Sequence, residues 1–211
     1  MKKITGFSLI ELLVVIGIIG ILTAISIPTF KSWQDKNSYN QSIDALVGML
    51  NTARTNVQSD KQCAFSDGST MGEWMIEINP VQGDVSASAV LGCYGKSPVE
   101  FEPKEVTRYK LEKSVIQRQT VFYSDDVSLE DNQPIRIMWH KDEDAMETVS
   151  IYAKDNSGNW TIKPVKTVAM NYEYTPDVAY TKLVCVNRVS GYVFLSKAPY
   201  DTNNLTNLCS E

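Results

Sequence analysis

A chain of 211 residues, 43% hydrophobic and 21% charged, has room for one apolar segment and one ordinary domain of about 150 residues, enough to bury a core. Its formal net charge of −5, with 20 Lys and Arg against 25 Asp and Glu, argues against wholesale binding to nucleic acid or anionic lipid. Repeats and low-complexity tracts are absent. Read in order, the sequence offers an apolar run, an amphipathic helix and a series of strands.

The apolar run lies within "GFSLIELLVVIGIIGILTAISIPTF", Gly6 to Phe30. From Phe7 to Ile27 its only charge is Glu11, and as a helix this stretch spans roughly 30 Å, the hydrocarbon thickness of a bilayer. Lys2 and Lys3 precede it, which by the positive-inside tendency puts the N-terminus in the cytoplasm; Lys31 and Lys36 beyond it weaken that asymmetry. The rival reading is a cleaved secretory signal. Such a signal has an apolar region of about 7–15 residues ending in a small-x-small site, whereas this run is longer and no Ala-x-Ala follows. A carboxylate near the middle of a bilayer costs about 2.5–3.5 kcal/mol, so Glu11 calls for a cation. Gly17 and Gly20 permit close helix contact but do not form GxxxG.

Beyond Pro28, the residues Tyr39, Ile43, Leu46, Val47, Leu50, Ala53 and Val57 recur at three- and four-residue steps, predicting an amphipathic helix that ends near Gln58 to Asp60. Pro28 lacks an N–H and its ring crowds the preceding turn, so a bend is expected there. Strands are predicted at Glu73–Ile78, Ser114–Tyr123, Ile135–His140, Thr148–Ala153, Asn159–Lys163, Thr167–Tyr174, Thr181–Val186 and Gly191–Ser196, all rich in β-branched and aromatic residues. The fold class expected is α+β: a long N-terminal helix, transmembrane and then amphipathic, whose stripe covers one face of an antiparallel sheet.

Four cysteines, Cys63, Cys93, Cys185 and Cys209, all follow the apolar run, and in an oxidising compartment an even count points to two disulfides among three connectivities. Cys63–Cys93 with Cys185–Cys209 is the expected set, because short sequence-local loops close readily. No CxxC occurs and His140 is the sole histidine, so neither a metal nor another cofactor is expected. The stretch His140–Glu147 gathers potential ligands without EF-hand spacing and reads as a solvated loop. Lys96 to Arg118 mixes basic residues with glutamates and reads as a mixed-charge surface. Neither a G-x-S-x-G elbow nor a Cys–His couple is present, and no enzyme activity is expected.

A short basic leader ending in Gly6, then Phe7, Ser8, Glu11, an unbroken apolar run and Pro28 together resemble the class III signal of type IV pilins and type II secretion pseudopilins. The resemblance implies cleavage between Gly6 and Phe7 by a prepilin peptidase and N-methylation of Phe7. It also implies that Glu11 of one subunit meets the new terminal ammonium of another. The implied division is a leader at 1–6, a transmembrane and filament-core helix at 7–28, an amphipathic half at 29–60 and a periplasmic β-rich domain at 61–211. Implied partners are other major and minor pilins or pseudopilins, the prepilin peptidase and an inner-membrane assembly platform. The implied location is the bacterial inner membrane and then a pilus or pseudopilus.

Toward the C-terminus, "LVCVNRVSGYVFLSKAPYDTNNLTNLC" and the earlier "GEWMIEI" resemble GspH/FimT-type (FimU-like) minor pilins and pseudopilins, in which a cysteine-bearing strand, a Ser-Gly turn, a second strand and a late cysteine recur. Some members bind DNA through a Gly-Arg-x-Arg run after that turn. Here Gly191 is followed by Tyr192, Val193 and Phe194, which removes the guanidinium source of phosphate contacts, although Arg188 and Lys197 lie nearby. The expectation is a minor type IV pilin near the filament tip that helps prime assembly. Alternatives are a type II secretion pseudopilin, a DNA-uptake minor pilin, and an anchored periplasmic binding protein that never polymerises.

Overall fold

A computed structural model describes residues 8–61, 73–80, 87–94, 107–112, 115–123, 128–131, 133–141, 147–155, 157–196 and 209. Two compact units emerge, Met1–Ser38 and Tyr39–Glu211. One helix, α1 (Leu9–Gln58), supplies the described part of the first unit and the opening segment of the second. It runs through Pro28, where the missing N–H removes the bond that the carbonyl of Ala24 would otherwise accept.

In the second unit α1 is followed by β1 (Glu73–Asn79), β2 (Ser88–Tyr94), β3 (Thr107–Lys110), β4 (Val115–Tyr123), β5 (Ser128–Asp131), β6 (Ile135–Lys141), β7 (Glu147–Lys154), β8 (Trp160–Ile162), β9 (Thr167–Tyr174), β10 (Asp177–Asn187) and β11 (Val193–Leu195). They form two antiparallel sheets, ordered β3-β2-β1-β6-β7-β8 and β11-β10-β9-β4-β5. The expected α+β arrangement is found, a helix stripe packed on antiparallel sheet, and both sheets share one core with that stripe. Tyr39, Ile43, Leu46, Leu50 and Ala53 are fully buried, and Val47 and Val57 pack against the same cluster, so the whole predicted stripe is used.

Period-two patterning fixes the sheet registers. Trp74, Ile76 and Ile78 of β1 stand opposite Trp139, Ile137 and Ile135 of β6, and all six side chains are buried. A slip of one residue would turn them all to the other face, so burial at about 1.5–3 kcal/mol for each large apolar side chain holds the pairing in place. The opposite face of β1 and β6 carries a smaller cluster of Met75 and Met138. Next to it Arg136 bonds Glu77 at 2.7 Å and lies 3.9 Å over the ring of Trp160.

β2, β3 and β5 lie outside the predicted set. β2 is buried without a break from Ala89 to Cys93, so it shows no alternation, and its Ala, Gly and Cys are residues that strand propensity does not flag. β3 and β5 are four-residue edge strands with charged members, the composition that edges use to avoid further pairing.

The helix ends as expected. Asp60 takes a φ of 50°, its N–H donates to the Val57 carbonyl, and the Lys61 N–H donates to that of Asn56. That is a Schellman closure with Asp in the left-handed position that glycine most often fills. Trp74 Nε1 then donates to the Lys61 carbonyl at 2.9 Å, tying the helix exit to β1.

At its other end in this unit the helix is held by tyrosines. Tyr39 donates its hydroxyl to the Tyr172 carbonyl at 2.6 Å and packs edge-on against Tyr174 and Tyr180, while Tyr180 donates to Asn40 Oδ1. Desolvation by burial pushes the Tyr39 phenol well above the usual range, with Tyr180 and Glu173 adding and a backbone hydrogen bond from Lys182 opposing. Tyr172 is pushed up by burial and then by Tyr39. A raised phenol keeps its proton in the folded state while the unfolded chain loses it above about pH 10, so stability holds below that value and falls as pH rises. With both groups contributing, the expected slope is up to about 2.7 kcal/mol per pH unit. Tyr172→Phe should halve it, as measured by urea unfolding across the alkaline range; an unchanged slope would assign it to other groups.

Candidate assembly site

The helix start is built by two residues. Ser8 precedes the first helical residue, and its backbone N–H donates to Glu11 Oε2 at 3.0 Å. In return the Glu11 N–H reaches Ser8 Oγ at 3.4 Å. This is a reciprocal capping box, Ser at the N-cap and Glu at the third helical position, which satisfies two N–H groups that have no partner inside the helix. The sequence sign of this box is the S-x-x-E spacing of Ser8 and Glu11 ahead of an apolar run. Glu11 also places a negative group in the first helical turn, where the helix dipole favours it.

From this cap to Leu22 the helix has no polar face. Every large apolar side chain from Leu9 to Leu22 is at least half exposed in the isolated chain, Leu9 at 80%. Thr23 returns its hydroxyl to the carbonyls of Ile19 and Gly20, so the polar atom within this stretch is satisfied internally. A Cβ added at Gly17 or Gly20 would meet nothing within 4 Å, so packing within the chain does not demand glycine at either position. A helix that is hydrophobic all round must be covered by lipid or by other helices. Among the described residues, no helix is long and apolar enough to cross a membrane. Gly6 and Phe7, the expected processing site, lie outside the described residues.

In the second unit Cys185 and Cys209 form the expected disulfide, 24 residues apart, beside Ala169, Leu183 and Phe194. Cys93 is also disulfide-bonded; Cys63, its expected partner, lies outside the described residues. Closing a loop of that length stabilises by about 3–4 kcal/mol in the chain-entropy account. Replacing Cys185 and Cys209 together by Ser is expected to lower the unfolding free energy by about that amount. Urea titration under oxidising conditions checks it, and a loss below about 1 kcal/mol would mean that the link constrains little.

Between β10 and β11 the turn is set by Asn187, whose Oδ1 accepts from the N–H groups of Val189 and Ser190, and by Gly191 at a φ of 63°. Arg188 donates its Nε to the Val149 carbonyl at 3.2 Å, bracing β10 against β7. Arg54 sits 4.8 Å over the ring of Tyr192 and reaches the Ser190 carbonyl. The basic groups nearest this turn are thus engaged in holding it, and Lys197 lies outside the described residues. Residues 142–146 of the candidate ligand loop also lie outside them, and the described residues hold no group of three His, Cys, Asp or Glu that could bind a metal.

Residues 1–27 match the family model for the prokaryotic N-terminal methylation motif. The chain is 30% identical over 94 residues to a fimbrial protein of Moraxella nonliquefaciens, covering 44% of this chain and 53% of that protein. A fimbrial protein of Pseudomonas aeruginosa is 32% identical over 66 residues, covering 31% of this chain and 43% of that one. The chain is type IV pilin-like. No solved structure matches it. This pilin-like chain spans about half the length of the curated relatives it matches. Its architecture, an N-terminal helix packed on antiparallel sheet, is an α+β fold like that of type IV pilins.

Proposed function

We propose that the chain is a minor type IV pilin, cut between Gly6 and Phe7, N-methylated at Phe7 and built into a filament through α1. The observation that carries this reading is the exposed, all-apolar helix headed by the Ser8–Glu11 cap within the methylation-motif match. Such a surface is unstable in water; lipid covers it before assembly, and the same helix of other copies or related subunits covers it in the filament. Glu11 pairs with the terminal ammonium of a neighbouring subunit and sets the axial stagger. Desolvation offsets much of the Coulomb gain, so the pair contributes register more than net stability.

The minor-subunit assignment, with a place near the tip and a part in priming assembly, draws support from the C-terminal arrangement. A cysteine-bearing strand, a turn holding Ser190 and Gly191, a short second strand and a late cysteine bonded back to the first follow the GspH/FimT-type pattern. The subunit starts in the inner membrane, is handled by the prepilin peptidase and assembly platform, and has no catalytic role. Mass spectrometry of sheared filaments from a strain carrying the tagged chain tests the reading. The expected finding is a substoichiometric subunit beginning at N-methylated Phe7. An intact residue 1–6 segment together with absence from filaments would overturn it.

A further inference from the structure

Within the first unit, Phe30 and Trp33 form a tilted ring pair with centroids 5.9 Å apart. Each is 62% exposed. They stand one helical turn apart, just after the apolar run, with exposed Lys31 beside them. We propose that this pair is an aromatic anchor that seats in the outer headgroup boundary of the membrane and fixes the depth of α1 before assembly. The inference rests on the membrane-inserted reading above.

The residue types fit that boundary: Trp presents an apolar ring with one N–H to satisfy, and such rings gather where lipid meets water. Lys31 can reach lipid phosphates from there, whereas a dry helix–helix contact would strip its ammonium of water. The spacing fits as well. Glu11 and Trp33 are 22 residues apart in one helix, about 33 Å at 1.5 Å per residue, against roughly 30 Å of hydrocarbon. With Trp33 at the outer boundary, Glu11 reaches the inner one. The carboxylate then stands among cytoplasmic-side headgroups and avoids the penalty charged at the bilayer centre, which explains how an apolar helix tolerates it while the subunit waits.

The full chain reconstituted in phosphatidylcholine vesicles tests this through Trp33 emission, taken as the difference between the parent protein and Trp33→Phe. Expected is a blue-shifted signal, quenched more by lipids brominated near the headgroup end of the acyl chain than by lipids brominated near the methyl end. Protein that floats with the vesicles but whose Trp33 signal is unquenched, or is quenched most by the deep bromines, overturns the anchor alone. A blue shift that grows with the protein-to-lipid ratio without bromine quenching would assign the pair to a second copy and overturn it too. Failure to float would remove the membrane-inserted reading along with the anchor.

Discussion

Trp139→Ala is expected to cost the second unit about 3–5 kcal/mol, a large part of the 5–15 kcal/mol that separates most domains from unfolding. Trp139 is fully buried in β6, directly opposite Trp74 on one side and Val149 on the other. Its Nε1 also donates to the Gly191 carbonyl at 3.2 Å, in the turn between β10 and β11. That bond crosses from one sheet to the other. Truncation therefore opens a cavity at the centre of the first sheet and leaves a buried carbonyl of the second without its donor. Trp139→Phe keeps most of the packing and loses the N–H with a smaller part of the ring volume, so it should fall between, at about 1–3 kcal/mol. Urea unfolding of both variants separates the two contributions. A Trp139→Ala protein within about 1 kcal/mol of the parent would mean that the sheets are not joined through this residue.

How far the fold could be read in the sequence depended on whether a feature was local. The stripe from Tyr39 to Val57 was legible because helical periodicity repeats within a few residues, and the strands with Val, Ile, Trp and Tyr were legible for the same reason. Pairing was not. Most pairs join strands that follow one another, but each sheet also depends on one pairing between strands far apart in sequence, β1 with β6 and β4 with β9. Nothing in Ile135–Lys141 alone says that Trp139 will meet Trp74 or the turn at Gly191. β2 escaped notice because Ala89, Gly92 and Cys93 are weak strand formers that succeed here through small size beneath a crowded core. The disulfide between Cys185 and Cys209 was legible because the loop is short. At the candidate assembly site, Glu11 was visible as an anomaly of charge, yet its first partner proved to be the backbone of Ser8, three residues earlier. Polar side chains near a helix start bond locally before they bond to anything else.

That local bond decides how the role of Glu11 is to be tested. Glu11→Ala deletes the carboxylate and with it the bond to the Ser8 N–H, so it weakens the helix start as well as removing the charge. A missing filament could then be blamed on a frayed helix start. Glu11→Gln separates the two, because glutamine also serves at the third position of a capping box, accepting from the Ser8 N–H through its amide oxygen. It has no charge to offer a neighbouring ammonium. If register depends on the ion pair, Glu11→Gln should be processed normally, keep its helix and still fail to enter filaments, with incorporation falling at least about tenfold, the equivalent of 1.4 kcal/mol. Ser8→Ala makes the complementary change, weakening the cap and sparing the charge, and should assemble far better than Glu11→Gln. The measurement is the ratio of each variant to the major subunit in sheared filaments, with N-terminal masses confirming cleavage. Glu11→Gln at the parent's ratio, with Ser8→Ala depleted, would show that the carboxylate acts on its own chain as a cap, and the pairing between subunits would have to be abandoned.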